Sequence, residues 1–292
     1  MALRTTIHRK GWGGRRCYNT SSVNVWTALR SFHPQQPCMG DPSRGVAYRE
    51  EPPCPRFAGI VECFWELRAS ADAAPFTCLG VPDGCVDWVF GASSFRDASL
   101  TALLSSSRRV SIPPEAALFG LRFLPATLNL VCGHPLGDIY DKRNVLSEHV
   151  TPGIAELEAR LFEAADFATK KALAEGWLAA RLARSKYEPP PRLLACLDRI
   201  YHAHGNLSVR QLARAAGLGE RQLLRLFRSE LGLAPKAFTR VVRFQHVLGK
   251  LTAHDGTSAV DIALDAGYYD QAHFIHELHA LCGVAPSSLA GR

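Results

Sequence analysis

The 292-residue chain has no apolar run approaching the length of a bilayer-spanning helix, so a helical membrane anchor is not expected. It has no Cys-x-x-Cys pair, and its nine cysteines are an odd number scattered through a chain too long to be a disulfide mini-scaffold. Reduced thiols in a cytoplasm fit that usage. Metal-ligand spacing is also missing. Cys132 and His134 stand without further partners, and the β-rich region holds only His134 and His149, too few for a metal-dependent oxygenase. No cysteine sits in the Pro-Cys-His setting of a DNA-repair methyltransferase. No catalytic residue, metal or cofactor is therefore expected, and the chain is not read as an enzyme. The first forty residues contain no Asp or Glu, while Arg4, Arg9, Lys10, Arg15, Arg16 and Arg30 make them basic. That imitates a transit peptide or a twin-arginine signal, yet the residues after Arg16 are not an apolar export segment. Residues 1–45 are read as a disordered basic leader, or as the product of a start codon placed too early.

What is present is ordinary in bulk. Apolar residues make up 47% of the chain and charged residues 21%, enough for two hydrophobic cores. The formal charge of +7 permits nucleic-acid binding without establishing it.

Residues 46–150 read as β-rich. Gly59 to Leu67, Thr77 to Val81, Cys85 to Phe90, Leu118 to Phe123 and Thr127 to Cys132 are short runs of strand-like composition. Pro82-Asp83-Gly84 between two of them is turn chemistry, since Pro presets one dihedral and Gly permits a positive one. Several short strands suggest a small sandwich or barrel. Residues 151–186 change to a helical period. Ile154, Leu157 and Leu161 form one stripe, and Leu173, Trp177, Leu178 and Leu182 another, with a break near Ala164. These stripes serve either dimerisation or packing on the β domain. Residues 187–191 hold three prolines that cannot continue a helix, so they form a stiff linker to residues 192–292.

The last hundred residues carry one pattern twice. Leu207 to Arg228 and Ser258 to His279 each hold a short apolar helix, a glycine turn (Gly217, Gly267) and a second amphipathic helix. A glycine there reaches the left-handed dihedrals that fold two helices steeply together. In a DNA-binding helix-turn-helix the second helix enters the major groove. On the first such helix Leu223, Leu226 and Phe227 fall on one side, with Arg221, Leu224, Arg225 and Arg228 opposite. Three guanidinium forks facing away from a core suit phosphate and guanine acceptors. On the second helix Phe274, Leu278 and Leu281 form the buried stripe. Gln271, Ala272, His273, His276 and His279 lie outside it and offer hydrogen bonds but little charge. No His-Glu-x-x-His motif makes His273 and His276 a metal pair. Between the units, Pro235 to Leu251 reads as one helix with Phe238, Val241, Val242, Phe244 and Val247 inward. Such a rod sets the spacing of the two recognition helices, which reach one face of B-DNA if they lie roughly 34 Å apart.

On these residues the chain resembles the AraC/XylS family of bacterial transcription regulators. The likeness rests on Leu212-Ala213, Gly217, Arg221, Leu223, Arg225, Phe227, Gly232 and Pro235. It continues in Ile262-Ala263, Gly267 to Gln271, His273-Phe274, Gly283-Val284 and Pro286. It implies that Arg221, Leu224 and Arg225 face bases in the first helix, and Gln271, Ala272, His273 and His276 in the second. His276, Leu278 and His279 depart from the family's pattern, and Gly219 replaces its usual serine cap. The amino-terminal half more weakly resembles a β-rich domain of unknown function often fused to such readers. That likeness rests on Phe64-Trp65, Pro82-Asp83-Gly84 with Asp87, and Gly120 to Phe123 with Pro125. Trp65, Trp88, Phe90, Arg122 and Phe123 would line a pocket there or, as aromatic strand residues more often do, form core.

The fold expected is thus α+β: a small β sandwich or barrel-like domain with a helical hairpin, then an all-α domain of two helix-turn-helix units joined by a long helix. The function expected is a sequence-specific regulator reading two adjacent major-groove segments of double-stranded DNA. An enzyme fused to a DNA reader and a non-specific architectural binder are the alternatives. RNA polymerase, an unidentified small-molecule effector and a second copy of the chain are the further candidate partners. The expected location is the cytoplasm, at the nucleoid.

Overall fold

The computed structural model of the chain describes residues 32–36, 39–92, 99–101, 105–137, 145–146, 151, 153–253 and 257–283. Its amino-terminal part is built on β1 (Val46–Glu51), β2 (Val61–Ala69), β3 (Phe76–Gly80), β4 (Val86–Ala92), β5 (Ser99–Thr101), β6 (Arg108–Ile112), β7 (Ala117–Phe123) and β8 (Val145–Leu146). Six of these form a sheet in the order β1-β2-β7-β4-β5-β8, and β3 pairs with β6 in a second, two-stranded sheet. The described strands make two sheets and not a closed barrel.

The period-two rule of strands gives the larger sheet two different faces. Phe64, Trp88, Phe90, Phe119, Leu121 and Phe123 belong to a core shared with the helices, whereas Cys63, Trp65, Leu67 and Leu118 pack with Phe76, Cys78 and Ile112 of the small sheet. The turn at Pro82 to Gly84 does carry a positive dihedral (Gly84 φ 76°), but the strands flanking it lie in different sheets. It is a crossing point and not a hairpin.

One stretch expected as a strand is a helix. Residues 127–132 hold α1 (Leu128–Cys132), with Leu128 and Val131 buried and Gly133 closing it in the left-handed conformation. A short apolar run does not distinguish a strand from a buried helical turn. Here Thr127, whose hydroxyl lies within hydrogen-bond distance of the carbonyls of Ile60 (2.6 Å) and Leu124 (2.7 Å), sets the chain into the turn.

The helical hairpin is α2 (Ile154–Glu163) and α3 (Phe167–Arg184), divided where Asp166 caps α3 through the Thr169 amide at 2.7 Å. Its apolar stripes are covered by the chain's own sheet. The Trp177 ring meets Trp88 edge-on at 5.5 Å, and the Phe167 ring meets Phe119 at 5.7 Å. The third proline of the expected linker opens a helix, since its missing N–H is not needed in a first turn, and from it follow α4 (Pro191–His202), α5 (Val209–Ala215), α6 (Glu220–Leu231), α7 (Pro235–Ala253), α8 (Ala259–Asp265) and α9 (Gln271–Cys282).

The two halves share their cores. Phe227 and Phe238 of the helical part belong to the same apolar cluster as the helix-facing side of the sheet, and Leu79 and Val81 join the cluster formed by α7, α8 and α9. Gln245 of α7 donates to the Pro82 carbonyl at 2.7 Å and accepts from the Gln35 amide at 2.7 Å. The segment expected as an unstructured leader therefore carries structure in its last part. Phe32 packs 4.6 Å from the Tyr201 ring, Gln36 bridges the Val81 carbonyl and Asp83, and Asp41 caps the short 3-10 turn Pro42–Arg44. Residues 1–31 lie outside the described residues. None of the seven described cysteines forms a disulfide, and no described helix is long and apolar enough to cross a membrane.

Candidate nucleic-acid interface

Each helix-turn-helix unit is assembled by local capping. In the first, Ser208 and Gln211 form a reciprocal capping box: the Gln211 amide donates to Ser208 Oγ (3.2 Å), and the Ser208 amide to Gln211 Oε1 (2.8 Å). The chain reverses at Gly217 (φ 62°), and Gly219 opens α6 with its amide donating to Gln222 Oε1 at 2.9 Å. In the second unit Ser258 caps α8 through the Asp261 amide (3.1 Å), and Asp270 caps α9 through the His273 amide (2.7 Å). The turn glycine there, Gly267 (φ 79°), lies so close to Asn206 that a Cβ would come within 2.4 Å of its side-chain amide. The second turn thus rests on the loop that leads into the first unit.

Packing decides which side of each recognition helix is left for a partner. In α6, Leu223, Phe227 and Leu231 are fully buried, so Arg221, Arg225 and Arg228 are turned to solvent, with Leu224 partly exposed beside them. Among the described residues none of these three arginines forms an ion pair. The arginines of the spacer helix are used differently. Arg240 of α7 holds Glu277 of α9 with two hydrogen bonds (Nε–Oε2 2.7 Å, NH2–Oε1 3.0 Å). Arg243 donates to the Gly205 carbonyl (3.1 Å) and lies over the Tyr268 ring. A bidentate pair of this kind fixes orientation as well as distance, so Arg240 clamps the second recognition helix to the rod. The rod itself buries Phe238, Val241, Val242, Phe244 and Val247.

In α9, Phe274, Leu278, Leu281 and Cys282 are buried, and Gln271, Ala272, His273, His276 and His279 are exposed. The His273 Nδ1 accepts from the Tyr269 amide at 3.2 Å. Sequence reasoning missed two exposed side chains on this unit: Ile275, 42% exposed, and Tyr269, 87% exposed. The signal for Ile275 was available, because it occupies in α9 the place that Leu224 occupies in α6. Beside α6, a cleft of about 360 Å³ is lined by Pro190, Pro191, Arg192, Leu218, Gln222 and Leu226.

The residues considered as a pocket in the β domain do not converge. Trp88, Phe90 and Phe123 are core on the helix-facing side, while Trp65 and Arg122 are on the other. Arg122, 1% exposed, is answered by carboxylates: its Nε lies 3.1 Å from Asp87 and 3.5 Å from Asp83, and NH1 lies 2.8 Å from Glu50. Trp65 Nε1 also donates to Asp87 Oδ1 at 2.9 Å, with Gly120 leaving room for its ring, since a Cβ there would stand 2.1 Å from it. Burial drives the Asp87 carboxyl above its ordinary range, against the pull of Arg122. The guanidinium is thus engaged within the protein and is part of how the sheet is held. The Cys132 thiol lies 3.2 Å from the Thr151 hydroxyl, and the His134 ring 2.9 Å from the Pro135 carbonyl.

Two family models match parts of the chain. Residues 212–292 match a helix-turn-helix domain family, and residues 49–144 match a domain of unknown function, DUF6597. No curated protein matches the chain. Among solved structures, the 1.65 Å structure of ToxT from Vibrio cholerae is 12% identical, covering 84% of this chain and 97% of that one at a TM-score of 0.41. ToxT bound to (E)-4-(8-methylnaphthalen-1-yl)but-3-enoic acid is 11% identical over 84% and 97% of the two chains, with a TM-score of 0.39. Likenesses this distant say nothing of ligands or targets here. Residues 212–292 are a helix-turn-helix domain of the AraC type, set behind a DUF6597 domain in residues 49–144.

Proposed function

We propose that the chain is a sequence-specific DNA-binding transcription regulator whose two recognition helices, α6 and α9, enter adjacent major-groove segments. The observation that carries this reading is the division of labour among arginines. Arg240 and Arg243 of the rod are engaged by Glu277 and a backbone carbonyl, while Arg221, Arg225 and Arg228 stand exposed on one face of α6. Exposed guanidinium groups on a capped, well-buried helix suit the guanine N7 and O6 acceptors or phosphate. In this reading Arg221, Leu224 and Arg225 face bases and Arg228 adds phosphate contact, with Gln271, Ala272, His273 and His276 acting in the second groove. The second unit brings hydrogen bonds and shape with less electrostatic grip than the first. RNA polymerase, a second copy of the chain and a small-molecule effector are the further partners within this reading, and the cytoplasmic nucleoid is its place of action.

Selection of bound duplexes from a random library tests it with the full chain. The expected result is a pair of short motifs about one helical turn apart, with Arg225→Ala relaxing one motif at a cost of roughly 1–3 kcal/mol. Equal affinity for unrelated duplexes would instead describe an architectural binder, since a regulator prefers its site by about a thousandfold or more.

A further inference from the structure

The two recognition helices can be compared residue by residue. Each has 12 residues and ends on a left-handed glycine, Gly232 (φ 69°) or Gly283 (φ 67°). Aligned from those glycines, the buried positions coincide: Leu223 with Phe274, Phe227 with Leu278, Leu231 with Cys282. The outward face then reads Arg221 against Ala272, Leu224 against Ile275, Arg225 against His276 and Arg228 against His279. Every guanidinium of the first face is gone from the second. The apolar branched residue is retained, and in α9 it is the more open of the two.

Ile275, 42% exposed, is the one large apolar side chain on a face whose other outward members are Ala272 and polar groups. Among the groups that the bases present in the major groove, the 5-methyl of thymine is the one methyl, set among hydrogen-bond donors, acceptors and the smaller C5–H of cytosine. Ile275 suits it. A β-branched side chain in a helix has essentially one χ1 rotamer, so the methyl-bearing surface is held in place before binding. Its neighbours support an A·T pair: Ala272, one turn away, is too small to obstruct an approaching base, and Gln271, also one turn away, has the amide that pairs with adenine N6 and N7.

We propose that Ile275 reads the 5-methyl group of a thymine, so that the segment under α9 is specified by A·T pairs while the segment under α6 is specified by guanines. The proposal rests on the regulator reading above and names the base class that its second helix takes.

The test uses the full chain and a duplex obtained by selection, in which each thymine is replaced singly by deoxyuracil, a change that removes the methyl and nothing else. One thymine under the second helix is expected to respond, with binding about fourfold weaker, the equivalent of one buried methylene. Ile275→Ala should bind the thymine and uracil duplexes equally at that position, and Ile275→Val should keep part of the difference. Because Ile275 is exposed, both variants are expected to melt with the parent, which is checked by circular dichroism. The inference is overturned if no thymine under α9 responds, or if Ile275→Ala discriminates as the parent does; Ile275 then faces something other than a base. A chain that selects no duplex at all brings down the regulator reading itself. One that selects a duplex but ignores the methyl brings down only the role of Ile275.

Discussion

Removing the Glu230 carboxylate would open the seam between the first recognition helix and the β domain. Glu230 sits in the last turn of α6, 4% exposed, where an acidic side chain opposes the helix dipole by about 0.3–1 kcal/mol. It is kept there by neutral donors. Asn129 of α1 gives one amide hydrogen bond to Glu230 Oε2 (3.0 Å) and another to its carbonyl (3.1 Å), and the Tyr187 hydroxyl donates to the same carboxylate. Hydrogen bonds to a charged group contribute about 1.5–3 kcal/mol each. Two such bonds to the carboxylate are offset by the several kcal/mol needed to bury an ion. Glu230→Ala removes part of that desolvation cost but takes the carboxylate acceptor from an Asn129 N–H and from the partly buried Tyr187 hydroxyl, at about 1–3 kcal/mol each. The net expectation is a loss of about 2 kcal/mol in urea unfolding. Glu230→Gln, which still offers one acceptor, should lose less. In a double-mutant cycle with Tyr187→Phe, the second change should cost much less once Glu230 is gone. If Glu230→Ala stays within about 0.5 kcal/mol of the parent, or the two changes simply add, the carboxylate does not hold the seam and the reasoning fails.

Three other outcomes are expected. Arg122→Met strands Asp83, Asp87 and Glu50 around an uncharged side chain. It should destabilise the protein by about 3–5 kcal/mol, and adding Asp87→Asn should recover part of that loss in thermal melts. Gly217→Ala, with open space around it but a left-handed φ, should cost about 1–2 kcal/mol. Gly267→Ala, which also meets Asn206, should cost more, and a melt showing the reverse order would be contrary. Burial, aided by the neighbouring His204 and Lys250, pushes the His246 imidazole from 6.5 down to about 4. The ring is therefore neutral in the fold where the unfolded chain already binds a proton. The stability it contributes is present above about pH 6.5 and is lost as pH falls toward 4. His246→Gln should flatten the melting temperature over that interval, and an unchanged pH profile would refute the assignment.

Much of the helical half was legible in the chain because its signals are local. Glycine turns and 3.6-residue apolar stripes place α5 to α9, and the buried sets of Leu223, Phe227, Phe274 and Leu278 follow from period alone. The β half was legible as composition but not as topology. Nothing local in Phe76 to Gly80 says that it pairs with Arg108 to Ile112 across the chain, and β1, β5, β6 and β8 were not anticipated. Thr127 to Cys132 failed for a related reason, since a short apolar run suits either geometry until tertiary contact decides. The aromatic residues of the β domain misled because a period of two sends Trp65 and Trp88 to opposite sides of one sheet, which only the register reveals. At the interface, the exposed arginines were readable, whereas the Arg240–Glu277 clamp depends on a contact 37 residues apart.

The central claim is that α7 holds α6 and α9 so that both act on one side of a duplex. Hydroxyl-radical footprinting of the full chain on its selected site measures this directly. Two protected patches about 10 base pairs apart, on the same face of the helix, are expected, with Arg221→Ala or Arg225→Ala weakening one patch and Gln271→Ala the other. A single patch, or two on opposite faces, would contradict it.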